Sequence, residues 1–238
     1  MDNREKSWLN TDCTPEQRMQ RADCKHCSLR DRMLFADVDV DAASTLLKQV
    51  NHIRYLPGEP LYHQGEEPSA VYSVRRGIIK LSLVSPTGDL RIVRLIGPGA
   101  AIGLETLLEQ SYQHTAVPLT ETGICRLPVS TVKQLSTEQP LLYQRLMRQW
   151  QDQLSHADTI LLKLSAGSIR ERVLNLLQLM VSLCEKGETE FLLPSNPDCA
   201  ALVAARVESV SREIAEFKRS GILVKSADGG WVLGSGEH

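Results

Sequence analysis

The chain has no run approaching the roughly 20 apolar residues that span a bilayer. Its first residues, MDNREKSWLN, carry no apolar core of a signal peptide. A soluble, cytoplasmic protein without a membrane partner is therefore the simplest expectation. No excess of one charge stands out either: 27 Lys+Arg face 29 Asp+Glu, for a formal net charge of −2. Even from Ser165 onward, eight Lys/Arg stand against ten Asp/Glu. No global basic field draws this protein to polyanions, so any phosphate contacts must come from a local patch. Catalytic signatures are missing as well. There is no G-x-S-x-G, no Gly-rich phosphate loop followed by Lys-Ser/Thr and no H-E-x-x-H. Carboxylates are scattered and the six histidines show no metal spacing. An enzyme is not expected.

What is there is organised around the stretch from Ala200 to Gly221, AALVAARVESVSREIAEFKRSG. It holds two short apolar-periodic segments joined at Ala204–Ala205–Arg206. In the second, Val207, Val210, Ile214 and Phe217 recur at spacings of three and four and share one helical face. Glu208, Ser209, Ser211, Arg212 and Lys218 lie off that face. Side chains so spaced on one helix can reach adjacent bases in a major groove. Gly221 stops the helix, and Ile222–Val224 with Trp231–Leu233 flank Asp228-Gly229-Gly230, a β-hairpin signal. Arg206, Arg212, Lys218 and Arg219 could form the local basic patch.

Upstream, a helical pattern runs from Phe35 to Val50. From Ile53 to Leu127 glycine breaks separate short strand-like runs: Ala70–Val74, Ile78–Val84, Leu90–Ile96 and Ile124–Leu127. Many short strands at such spacing indicate a sandwich or barrel. From Leu141 the pattern is helical and long. Met147, Trp150, Leu154, Ala157, Leu161 and Leu164 alternate spacings of three and four over about five turns, a coiled-coil seam. Ser165-Ala166-Gly167-Ser168 reads as a hinge before a further helix, Ile169 to Leu183.

Val207-Glu208-Ser209-Val210-Ser211-Arg212, followed by Phe217-Lys218-Arg219-Ser220-Gly221, resembles the recognition helix of the CRP/FNR family of bacterial transcription regulators, in the FNR-type form Glu-x-x-Ser-Arg. Leu56-Pro57-Gly58-Glu59, His63-Gln64-Gly65 and Val74-Arg75-Arg76-Gly77 resemble the β-roll of cyclic-nucleotide-binding domains. The resemblance implies an α+β chain in four parts. These are a cysteine-containing sensor segment (1–33), a cyclic-nucleotide-binding-like β-roll (34–140), a dimerisation helix (141–165) and a winged helix-turn-helix domain (166–238). It further implies a homodimer on palindromic DNA with TTGAT-like half-sites, and RNA polymerase as a partner. Cyclic AMP is not expected. The Gly-Glu that holds the ribose in the family pocket has become Gly103-Leu104, with Glu105 one place away, and His114 stands where the phosphate arginine belongs.

Cys24-Lys25-His26-Cys27-Ser28-Leu29 resembles the amino-terminal cysteine segment of FNR-type oxygen sensors, which hold a 4Fe–4S cluster with three such cysteines and a fourth from the roll. Cys125 falls at the roll position. The further amino-terminal cysteine is replaced by Met33, and Cys13, eleven residues before Cys24, is expected to complete the set. A flexible polar segment closes such a loop at small entropic cost. Zinc, thiol redox chemistry, haem on His114 or no bound group are the alternatives. Cys184 and Cys199 read as packing residues. Ala157 takes a seam position where FNR-type regulators often carry an acidic residue.

Overall fold

A computed structural model of the chain describes residues 13–27, 29–85, 88, 90–184, 189–227 and 229–234. Asp228 of the expected hairpin turn, and residues 1–12 and Ser28 of the amino-terminal segment, lie outside these. A five-stranded antiparallel sheet has the order β1 (Gln20–Arg21), β2 (Asn51–Tyr55), β8 (Thr122–Pro128), β3 (Ala70–Arg76), β6 (Ala101–Ile102). A three-stranded sheet is ordered β5 (Leu90–Ile96), β4 (Ile79–Val84), β7 (Thr115–Pro118). The architecture is the expected α+β β-roll with helices. By compactness the chain forms two units, one of residues up to Ile79 with Ile96–Gln153, the other of Lys80–Leu95 with Leu154 onward.

In the first unit the core gathers Leu34, Val38 and Leu47 with Leu127, Leu135 and Leu142. The expected helix from Phe35 to Val50 shrinks to one turn, α1 (Ser44–Leu47). Asp39 explains the loss. Its Oδ1 accepts from the backbone N–H of Asp41 (3.0 Å) and of Ala42 (3.2 Å), offering those donors a local turn in place of helical carbonyls. A helix that the apolar pattern did not suggest, α2 (Val129–Glu138), buries Val132 and Leu135.

Helix α3 (Pro140–Ser165) runs 26 residues. Met147, Leu154 and Leu161 are 51%, 47% and 66% exposed, and Trp150 and Ala157 are half-buried. Leu164 departs from that stripe. It is 1% exposed and shares the inward face with Ile160, one turn before it. The break after α3 is where the spacing put it. Gly167 has φ +85°, and a Cβ there would meet Glu171 Oε2 at 2.7 Å, so only glycine fits without strain. Ser168 then opens α4 (Ile169–Ser182) with a reciprocal capping box to Glu171.

In the second unit, α4, α5 (Asn196–Val203) and α6 (Val207–Arg219) form a three-helix group, followed by the hairpin of β9 (Leu223–Lys225) and β10 (Trp231–Leu233). Ser195 caps α5 by accepting from Asp198 N–H. Ala204 then takes a left-handed conformation (φ 51°), and Arg206 begins α6. Val210, Ile214 and Phe217 are buried as their spacing predicts. Val207 is 39% exposed instead, because the first turn of α6 stands clear of the core those three enter.

Candidate DNA-reading surface and cysteine site

Helix α6 exposes Glu208 and Arg212, one turn apart on a single face. Arg206 is exposed at the helix start, and among the described residues none of the three is held in an ion pair. Ser209 is half-buried. Ser211 turns partly inward, where Asn196 Nδ2 donates to its Oγ at 3.2 Å and ties α5 to α6. Lys218 is exposed but lies with Nζ 4.2 Å from the ring centroid of Trp231, which fixes it beside the hairpin. Arg219 pairs with Glu216. The surface thus offers one acceptor, one bidentate donor and two flanking cations, the groups that read base edges and phosphates.

The second site lies in the first unit. Asp23 accepts the His26 N–H at 3.1 Å and shapes the turn that carries Cys24 and Cys27. Both thiols line one cavity of about 30 Å³ together with Cys125 of β8. Arg75, which spacing did not single out, lines it too. The register of β3 on β8 slips between Val74 and Arg76, so Arg75 is the extra residue of a β-bulge. Such bulges re-aim side chains, and this one puts Arg75 in the lining of the same cavity as Cys125, where its positive charge favours the thiolate. Burial pushes the Cys24 thiol up to about 11, with the charges of Cys125, Cys27 and Asp23 adding and Arg75 opposing. Burial also raises Cys125, again against Arg75. Cys13 is half-buried and not part of the lining, whereas Met33 is. Among the described residues, no three His, Cys, Asp or Glu side chains close on a single metal ion.

Near Glu105 and His114, stacked tyrosines occupy the roll. Tyr62 and Tyr112 have ring centroids 3.9 Å apart, and Tyr72 lies 5.5 Å from Tyr62. The buried Tyr112 hydroxyl donates to the Ala70 carbonyl at 2.7 Å. Glu105 Oε1 is engaged by the Gln113 N–H at 3.1 Å, and His114 is held in an interaction of its own.

Comparison with known proteins follows the same division. The family model of the cyclic nucleotide-binding domain matches residues 52–139. The transcriptional activator protein FnrA of Stutzerimonas stutzeri is 30% identical over 211 residues, covering 86% of each chain. The chain belongs to the CRP/FNR family of transcription regulators. Another relative, the anaerobic regulatory protein of Aggregatibacter actinomycetemcomitans, is 23% identical over 207 residues, 84% of this chain and 80% of that one. The structure of FixK2 from Bradyrhizobium japonicum has the same fold, with a TM-score of 0.67 at 24% identity over 77% of this chain and 92% of that one. As a member of the family this is a regulator and not an enzyme. No described helix is long and apolar enough to cross a membrane.

Proposed function

We propose that this CRP/FNR regulator is of the FNR type. It would read oxygen or redox state at Cys24, Cys27 and Cys125 and bind palindromic DNA as a homodimer in the cytoplasm, with RNA polymerase as a further partner. The observation that carries the reading is the meeting of three thiols, two from the Cys24–Cys27 turn and one from distant β8, in one cavity beside a cation. The donor set fits a 4Fe–4S cluster, since soft thiolates suit its iron and the Arg75 cation beside them offsets part of their charge. A bound cluster would supply an oxygen-labile group whose loss frees the Cys24–Cys27 turn. The cavity is small, so that turn must open to admit it. The Lys25–Asp41 ion pair that holds the turn is exposed and offers little resistance. A thiol switch without metal is the weaker reading, because a Cys24 thiol at about 11 is protonated and a poor nucleophile at neutral pH. The name of the anaerobic regulatory protein among the relatives supports the oxygen reading. Protein purified without air should be straw-brown with about four iron per chain, and air should bleach it. Colourless, iron-free protein rejects the cluster, and a sharp Soret band would mean haem.

DNA recognition rests on Arg206, Glu208, Arg212 and Lys218 at the surface, with Ser209 and Ser211 supporting the helix. Two-fold symmetry would place two copies of α6 about one DNA turn apart. Met147, Leu154 and Leu161 form the exposed seam of α3, with Trp150 and Ala157 beside them and Leu164 facing inward. Ala157 spares the seam a pair of facing acids, and Asp158 is turned about 100° away. Dimerisation should then be independent of the cofactor, and the signal would act at the Ser165–Ser168 break. Sedimentation at micromolar concentration should show a dimer for cofactor-free wild type. Ala157→Asp should be monomeric unless loaded. A monomeric cofactor-free wild type overturns this.

A further inference from the structure

The cysteine site offers three thiols, whereas a cubane has four irons. Cys13, His52 and Met33 are candidates for the fourth corner. Cys13 is a thiol, but its carbonyl accepts from Arg18 Nε at 3.0 Å, and Arg18 Nη1 donates to the Arg54 carbonyl at 2.9 Å. Arg54 is two residues along β2 from His52, the cross-strand partner of Cys125, a displacement of about 7 Å. The guanidinium of Arg18 also pairs with Glu59, so the Cys13 backbone is tied toward β2 at Arg54, and Cys13 does not line the cavity. His52 opposes Cys125 directly, yet its Nε2 lies 3.2 Å from where a Cβ on Gly123 would stand, and it does not line the cavity.

Met33 does line it. It is 6% exposed, and its backbone N–H donates to the Arg30 carbonyl at 2.9 Å. Its Sδ lies 4.0 Å from Ser73 Oγ, and Ser73 opposes Cys125 across the sheet. Opposed side chains in antiparallel strands have Cβ atoms about 4.5–5.5 Å apart. The thioether therefore sits over the rung that carries Cys125, while the turn of Cys24 and Cys27 closes the other side.

We infer that Met33 supplies the fourth donor of a Cys3Met set, so that one iron of the cluster is held by a neutral thioether and less firmly than the other three. This rests on the cluster reading above. A thioether is soft, as iron–sulfur iron requires, but it lacks the negative charge that makes a thiolate a strong ligand. Three thiolates also leave the buried site one negative charge lighter than four would, beside a single arginine.

The test is anaerobic reconstitution of the full chain as wild type, Met33→Leu, Met33→Cys and Cys13→Ser, read by iron and sulfide content and by electron paramagnetic resonance. Met33→Leu keeps the volume and removes the sulfur. Wild type should hold about four iron and Met33→Leu about three. Met33→Cys should hold about four and survive in air at least tenfold longer, and Cys13→Ser should match wild type. Four firmly held irons in Met33→Leu, or loss of iron in Cys13→Ser, overturn the inference while leaving the cluster reading intact. Uptake of iron and sulfide by none of the four proteins overturns both.

Discussion

Arg212→Ala is expected to abolish most of the preference for a palindromic TTGAT-like site while sparing weak, non-specific binding. The guanidinium stands exposed on α6, one turn beyond Glu208 and unengaged by any carboxylate among the described residues. Its planar fork matches the O6 and N7 acceptors of guanine, and Glu208 can accept from a cytosine amine. Each such pair is worth about 1–3 kcal/mol of discrimination. A homodimer loses the pair in both half-sites, about 2–6 kcal/mol together, or roughly 30-fold to more than 10⁴-fold in affinity. Phosphate contacts by Arg206 and Lys218 carry no sequence information and should survive. Fluorescence anisotropy on the palindrome and on scrambled DNA separates the two terms. Equal losses on both would remove Arg212 from base reading and make it a phosphate ligand.

The second large effect concerns the thiols. Cys24→Ser, Cys27→Ser and Cys125→Ser should each prevent iron uptake on anaerobic reconstitution, because two thiolates cannot keep a cluster in place and a serine oxygen is a harder donor. Cys184→Ser and Cys199→Ser should reconstitute normally. Cys184 Sγ donates to the Met180 and Glu190 carbonyls, both at 3.3 Å. Cys199 is fully buried, with its thiol pushed up to about 12 by burial and the Asp198 charge. Neither lies among the residues lining the cysteine cavity. Iron retained in Cys125→Ser would mean that the roll contributes no ligand.

The reading helix and its hairpin were legible in the sequence because their signals are local. The three-four spacing of Val210, Ile214 and Phe217 and the glycine at 221 set α6 to within a residue or two. The pair Cys24-x-x-Cys27 was legible for the same reason. Elsewhere tertiary contacts decided. Asp39 dissolved an apolar pattern into turns, and Leu164 turned inward and Trp150 packed against the first unit's core, while Met147, Leu154 and Leu161 stayed exposed. Arg75 carries no sequence signal as a thiol partner, because its role comes from one slipped rung between β3 and β8. The place of Cys13 was equally invisible, since a buried arginine five residues later sets where that segment runs.

The most direct test couples the two sites in one sample. Protein reconstituted without air is titrated against the palindrome, exposed to air and titrated again, with iron measured at each step and Cys125→Ser run alongside. The account predicts that iron and specific affinity fall together, the latter by at least about tenfold, or 1.4 kcal/mol, and that Cys125→Ser binds weakly throughout. Unchanged affinity after the iron has gone, or tight binding by Cys125→Ser, would contradict it.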